Sequence, residues 1–110
     1  MSAVQSLPLL PAVDEDDLLL DSSDWNHDVA RLMADHYGVP ELTEDHWHVI
    51  SALRNYYLRY GVAPSMNAVC RSVGKHHFWV HELFGSCLNA WRVAGLPNPG
   101  EEAKSYLSDM

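Results

Sequence analysis

Thr43-Glu-Asp-His-Trp-His-Val-Ile-Ser-Ala-Leu-Arg-Asn-Tyr-Tyr-Leu-Arg-Tyr60 is the stretch on which the fold turns. Its polar residues Glu44, His48, Ser51, Asn55 and Arg59 recur at helical spacing and fall on one narrow stripe. Trp47, Val49, Ile50, Leu53, Tyr56, Tyr57, Leu58 and Tyr60 fill most of the remaining circumference. A helix apolar over so much of its surface is expected to be covered on several sides, which makes it the hub of a helical domain. Thr43 suits the N-cap, and Glu44 and Asp45 place carboxylates where the helix dipole favours them. Gly61 suits a left-handed C-cap, and Pro64 blocks an immediate restart.

Outward from this helix, residues 1–8 carry no periodicity and read as a loose N-terminal arm. Leu9 to Val13 and Leu18 to Leu20 flank the acidic run Asp14-Glu15-Asp16-Asp17. Two short apolar pieces around a polar turn predict a small β-hairpin, although Pro11 cannot donate to a ladder. Asp21 to Asp24 offers N-caps for an amphipathic helix carrying Trp25, Val29, Leu32, Met33 and His36 and ending at Gly38. After Pro64, Ser65 caps a short helix with Met66, Val69, Cys70 and Val73 on one side. A further short helix covers about 76–84, and a last core helix runs from Cys87 to about Ala94 with Leu88 and Trp91 inward. Gly95-Leu96-Pro97-Asn98-Pro99-Gly100 excludes helix, and residues 100–110 form an acidic tail. The expectation is a mainly α, small orthogonal helical bundle over residues 9–99, with an N-terminal β-hairpin and a flexible C-terminal arm.

Composition narrows function. In 110 residues, fifteen Asp plus Glu stand against seven Lys plus Arg, for a formal charge of −8. A free polyanion or an anionic membrane is therefore a poor default partner. No apolar run reaches the roughly 20 residues that span a bilayer, and Met1 to Ser6 lacks the flank of a secretory signal. Cys70 and Cys87 make no disulfide framework. A soluble, cytoplasmic protein with reduced thiols is expected.

Three patterns in the sequence have the makings of chemical sites. Cys87 opens the last helix, where the dipole can lower a thiol's pKa, whereas the plainer reading makes Cys70 and Cys87 small apolar fillers. His77 and His81 have the i, i+4 spacing of zinc ligands, but no third ligand follows by spacing, so no metal is expected. Met66 to Phe84 can be read as helix–turn–helix, yet the second helix offers Lys75 and histidines beside Glu82 and little that reads bases. No nucleophile elbow, phosphate loop or HExxH occurs, so neither catalysis nor a cofactor is expected.

Several phrases, in order, resemble one family. Asp24-Trp25-Asn26-His27-Asp28-Val29-Ala30 resembles the "DWNEDVA" of the DsrC/TusE sulfur-relay family. Leu42 to Ile50 resembles its "LTEEHWEVI", and Tyr56-Tyr57 with Tyr60-Gly61-Val62-Ala63-Pro64 resembles "YY…YGIAP". Leu83-Phe84 and Ala94-Gly95-Leu96-Pro97-Asn98-Pro99 resemble "LF" and "AGLPKP". The likeness spans about residues 13–99 and implies a helical bundle with a mobile C-terminal arm. It also implies a carrier whose arm cysteine takes sulfur from partner proteins, as persulfide or disulfide, toward tRNA thiolation or alongside dissimilatory sulfite reductase.

Here the chain departs from that pattern. Counting from Ala94-Gly95-Leu96-Pro97, the arm-cysteine position falls on Glu102, and the second cysteine position falls on Trp91. Neither residue can carry sulfur. Asn67 stands where relatives often have Arg, although Arg71 keeps a cation one turn on. The resemblance therefore implies a non-catalytic family member that binds or regulates sulfur-relay or sulfite-reductase partners. Arg71, Trp91, Arg92, Gly95, Leu96, Pro97 and Pro99 are its candidate contact residues. The rival readings are a sulfur carrier using Cys87 and a helix–turn–helix DNA-binding regulator.

Overall fold

The computed structural model describes residues 11–108 except 40 and 77. Six α-helices follow in order, α1 (His27–His36), α2 (Glu44–Tyr60), α3 (Met66–Ser72), α4 (Trp79–Phe84), α5 (Cys87–Val93) and α6 (Glu101–Ser108), with a 3-10 turn at Ser22–Asp24 before them. Short polar side chains begin them where the sequence places caps. Asn26 Oδ1 accepts from Val29 N at 2.9 Å, and Ser86 Oγ accepts from Asn89 N at 3.0 Å. Thr43 opens α2 in a capping box whose return partner is His46, and Gly61 closes it at φ 69°.

The polar stripe of α2 is exposed as expected, and Val49, Ile50 and Leu53 are buried. The expected all-round cover is not present. Leu58 is 75% exposed and Tyr60 58%, so the last turns of α2 project past the core. The centre of the domain is the much shorter α5, which packs on α1, α2, α4 and α6. Cys87, Leu88, Ala90, Trp91 and Val93 of α5 are all buried. A seven-residue helix has little stability alone. Burial of its side chains, at about 1.5–3 kcal/mol for each large apolar one, holds it.

The predicted β-hairpin is corrected. Among the described residues there is no strand, and one antiparallel bridge joins Val13 to Leu19; Leu9 and Leu10, like the arm 1–8, lie outside the described residues. Asp14 accounts for the shortness of the pairing. Its Oδ1 accepts from Asp16 N at 2.8 Å and Leu18 N at 3.0 Å, closing the backbone into a tight polar turn. Asp17 completes that turn at φ 64°. Leu18 and Leu19 then enter the core, tethering the loop to the helices.

The acidic tail also takes a form that composition did not foretell. Residues 101–108 are helical and pack on α5, with Leu107 wholly buried. Glu101 and Glu102 sit in the first turn, where the dipole favours carboxylates. No described helix is long and apolar enough to cross a membrane.

Candidate functional site

The candidate contact residues, Arg71 excepted, converge at the C-terminal end of α5 and the link that leaves it. Trp91 has no exposed surface; its Nε1 donates to Pro97 O at 2.8 Å, and its ring meets Tyr57 edge-on at 5.8 Å. Through this bond the Trp91 side chain folds the link back onto its own helix, and Leu96 is buried beneath it. Pro99 is half-buried at the far end of the link.

Two residues from other elements grip the last carbonyls of the helix end. Trp25 Nε1 donates to Val93 O at 2.9 Å, and Arg54 Nη1 donates to Ala94 O at 2.8 Å. The Arg54 guanidinium lies over the Trp25 ring at 4.0 Å. Gly95 follows at φ 70°, and a Cβ there would fall inside the Trp25 side chain. Sequence reading placed Trp25 on the face of α1, but it precedes that helix and caps α5 instead.

Arg92 joins the same end to the N-terminal loop. Its Nε donates to Asp16 O and its Nη1 to Asn89 Oδ1, at 2.8 and 2.9 Å. Asp16 is also the anchor for α6, because its Oδ2 takes Lys104 Nζ at 2.6 Å. Tyr106 OH adds a long bond, 3.4 Å, to Pro64 O. Loop, core helix and tail thus meet at one residue. Lys104, 88 positions from Asp16, left no periodic signal that could have announced this contact.

The two positions matched to carrier cysteines have separate fates. Trp91 is inside the core, whereas Glu102 is exposed on α6. Arg71 lies elsewhere, on the last turn of α3, exposed beside Asn67 and Lys75 around an open depression of 430 Å³. The histidine pair falls partly outside the described residues, since His77 is not among them. On α4, Trp79, Val80 and Phe84 face the core, leaving His81 and Glu82 outward.

Both thiols are buried, and Cys70 also lines the depression beside Arg71. Cys70 and Cys87 are both 1% exposed. Burial pushes the Cys87 thiol from an ordinary 9.0 up to about 12, and the neighbouring Cys70 adds to this. The helix-dipole effect suggested by its place in α5 is outweighed. Unfolded Cys87 ionises near its ordinary value while the folded thiol keeps its proton, so the unfolded chain binds fewer protons above pH 9.0. Stability should fall there with a slope approaching about 1.4 kcal/mol per pH unit. Urea unfolding at pH 8 to 11 checks it, and Cys87→Ala should flatten the first part of the slope.

His46 is the buried polar residue that sequence reading passed over. Its Nδ1 accepts from Thr43 N at 3.1 Å, and therefore Nε2 carries the proton and donates to Leu83 O at 2.8 Å. The ring stands edge-on to Phe84 at 4.9 Å. This histidine caps α2 and ties it to α4. Replacement by leucine should cost about 2 kcal/mol, as a cap and a buried acceptor lose their partner together; thermal unfolding measures it.

Residues 10–101 match the family model described as DsrC like protein, and the chain belongs to this DsrC/TusE family. Over 89 residues it is 34% identical to the dissimilatory-type sulfite reductase subunit gamma of Nitratidesulfovibrio vulgaris, covering 79% of this chain and 85% of that protein. It is 32% identical to a sulfurtransferase TusE homolog of Haemophilus influenzae over 97 residues, covering 80% and 88%. Among solved structures, the oxidized gamma-subunit of the dissimilatory sulfite reductase from Archaeoglobus fulgidus superposes with a TM-score of 0.72 at 34% identity, covering 83% of this chain and 90% of that one.

Proposed function

We propose that this chain is a DsrC/TusE-family protein that binds or regulates sulfur-relay or sulfite-reductase partners without carrying sulfur on its arm and without turnover of its own. One observation carries the reading. The positions matched to the carrier cysteines hold a core tryptophan and a surface glutamate, Trp91 and Glu102, while Cys70 and Cys87 are buried. A persulfide relay needs an accessible thiolate. The relatives, a sulfurtransferase TusE homolog and a sulfite reductase subunit, suggest the partner class. In this reading the protein acts in the cytoplasm beside such partners.

The contact surface in this reading is the α5 end and link, where Arg92, Pro97 and Pro99 lie partly exposed over the buried Trp91, Gly95 and Leu96, with Arg71 a separate contact on α3. The α6 tail lies across part of that surface, pinned by Leu107 and Lys104. Deleting residues 101–110 should therefore raise binding of an apolar dye and strengthen partner capture; unchanged values of both would remove the tail from the account.

The deciding experiment has two arms. Pulldown from native lysate, read by mass spectrometry, should return sulfur-relay or sulfite-reductase proteins. Incubation with a persulfide-loaded sulfurtransferase should leave the mass of this chain unchanged. A gain of one sulfur mapped to Cys87 would instead establish the carrier reading.

A further inference from the structure

Five side chains of α1, α2 and the turn before them form a continuous row. Arg54 covers Trp25 at 4.0 Å, Trp25 meets the His27 ring at 5.8 Å, His27 meets Trp47 at 4.7 Å, and Arg31 lies over Trp47 at 5.5 Å. Beside the row opens a cleft of about 210 Å³, lined by Trp25, His27, Trp47, Ser51, Arg54 and Asn55 among others. Small-molecule sites run to roughly 300–1,000 Å³, so this cleft suits a side chain or two of a peptide rather than a cofactor.

Its charge is opposite to that of the chain. Fifteen acidic residues give the protein a formal −8, yet among the described residues no Asp or Glu lines the cleft. Asp28, the neighbouring carboxylate on α1, is paired with Arg31 at 3.0 Å. Arg54 spends one described hydrogen bond, from Nη1, on Ala94 O. Ser51 and Asn55 add neutral hydrogen-bonding groups on the exposed stripe of α2. Charges beyond about 8 Å are screened at physiological salt, so the local sign governs what enters.

We infer that this cleft docks an acidic segment of a partner protein, which presents a carboxylate to Arg54 and His27 and an apolar or aromatic side chain to Trp25 and Trp47. Guanidinium and carboxylate supply a charge-assisted contact, and the indoles supply area. A single-stranded nucleic acid could stack on the same rings, but it also needs a run of cations along its backbone, and among the described lining residues Arg54 is the one Lys or Arg. Trp25 and Arg54 also hold the α5 end, so an occupant here touches the side chains that set where the link departs. The inference stands apart from the fate of the carrier cysteines, and its test requires no sulfur chemistry.

The test uses the full 15N-labelled chain and the indole N–H signals of its tryptophans. The probe is a blocked hexapeptide of glutamate and phenylalanine; a lysine–phenylalanine peptide and an oligouridylate serve as comparisons. The indole signals of Trp25 and Trp47 should shift saturably with the acidic peptide, with a Kd of about 0.1–1 mM, while that of Trp91 stays in place. Asn55→Glu, on the exposed face of α2, should weaken binding by about tenfold while leaving the remaining spectrum intact, since it puts a like charge against the ligand. Ser51→Glu should act in the same direction. Absence of a saturable shift overturns the proposal. Equal shifts with the lysine peptide, or binding of the oligouridylate in place of the acidic peptide, overturn it as well.

Discussion

Gly95→Ala should lower unfolding free energy by about 2–5 kcal/mol, the sum of a left-handed backbone penalty and forced overpacking. Gly95 sits at φ 70°, and an added Cβ would lie 2.7 Å from Trp25 Cβ and nearer still to its ring. The indole cannot retreat without cost. It would give up the 2.9 Å bond to Val93 O and its stack under Arg54, which itself holds Ala94 O. Equilibrium urea unfolding is the measurement. A double-mutant cycle sharpens it: in a Trp25→Ala background the steric part disappears, and Gly95→Ala should then cost only about 1–2 kcal/mol. A loss below about 1 kcal/mol in the parent chain would mean that the tryptophan does not hold the α5 end.

Trp91→Cys, which puts a thiol where the resemblance expects a carrier cysteine, should cost about 3–5 kcal/mol. Trp91 is fully buried against Tyr57, and its N–H holds the link through Pro97 O. Shrinking it opens a cavity at the centre of α5 and releases the link in one step. Glu102→Cys should be nearly silent, within about 0.5 kcal/mol, because Glu102 is an exposed first-turn residue of α6. Chemical denaturation of the two variants side by side checks the contrast. Equal costs, or a loss under about 1.5 kcal/mol for Trp91→Cys, would show that the core has not been rebuilt around this tryptophan. With the predicted asymmetry, the chain has committed one carrier position to packing and left the other to solvent.

Much of this was legible residue by residue. The stripe Glu44, His48, Ser51, Asn55 and Arg59 is exposed, Thr43 caps α2, and Gly61 ends it. The helix that those signals describe was nevertheless assigned too central a place. A helical wheel says which faces are apolar, and it does not say what covers them; Leu58 and Tyr60 remain in water. The brevity of α5 concealed its centrality, since a seven-residue segment shows barely two turns of periodicity. At the site, Trp91, Gly95, Leu96 and Pro97 were named in advance, whereas Trp25, Arg54 and Asp16 were not. Their partners lie 68, 40 and 88 positions away.

The amino-acid order alone determined the caps of the hub helix and which family the chain resembles. Those are properties of neighbours in the chain, set by caps, periodicity and residue identity. Tertiary structure alone decided that Cys87 is buried with its thiol pushed up to about 12, that Trp91 holds the link, and that an acidic tail folds onto the core through Leu107 and Lys104. Desolvation and pairing depend on what the fold brings alongside each group, and no local pattern contains that information.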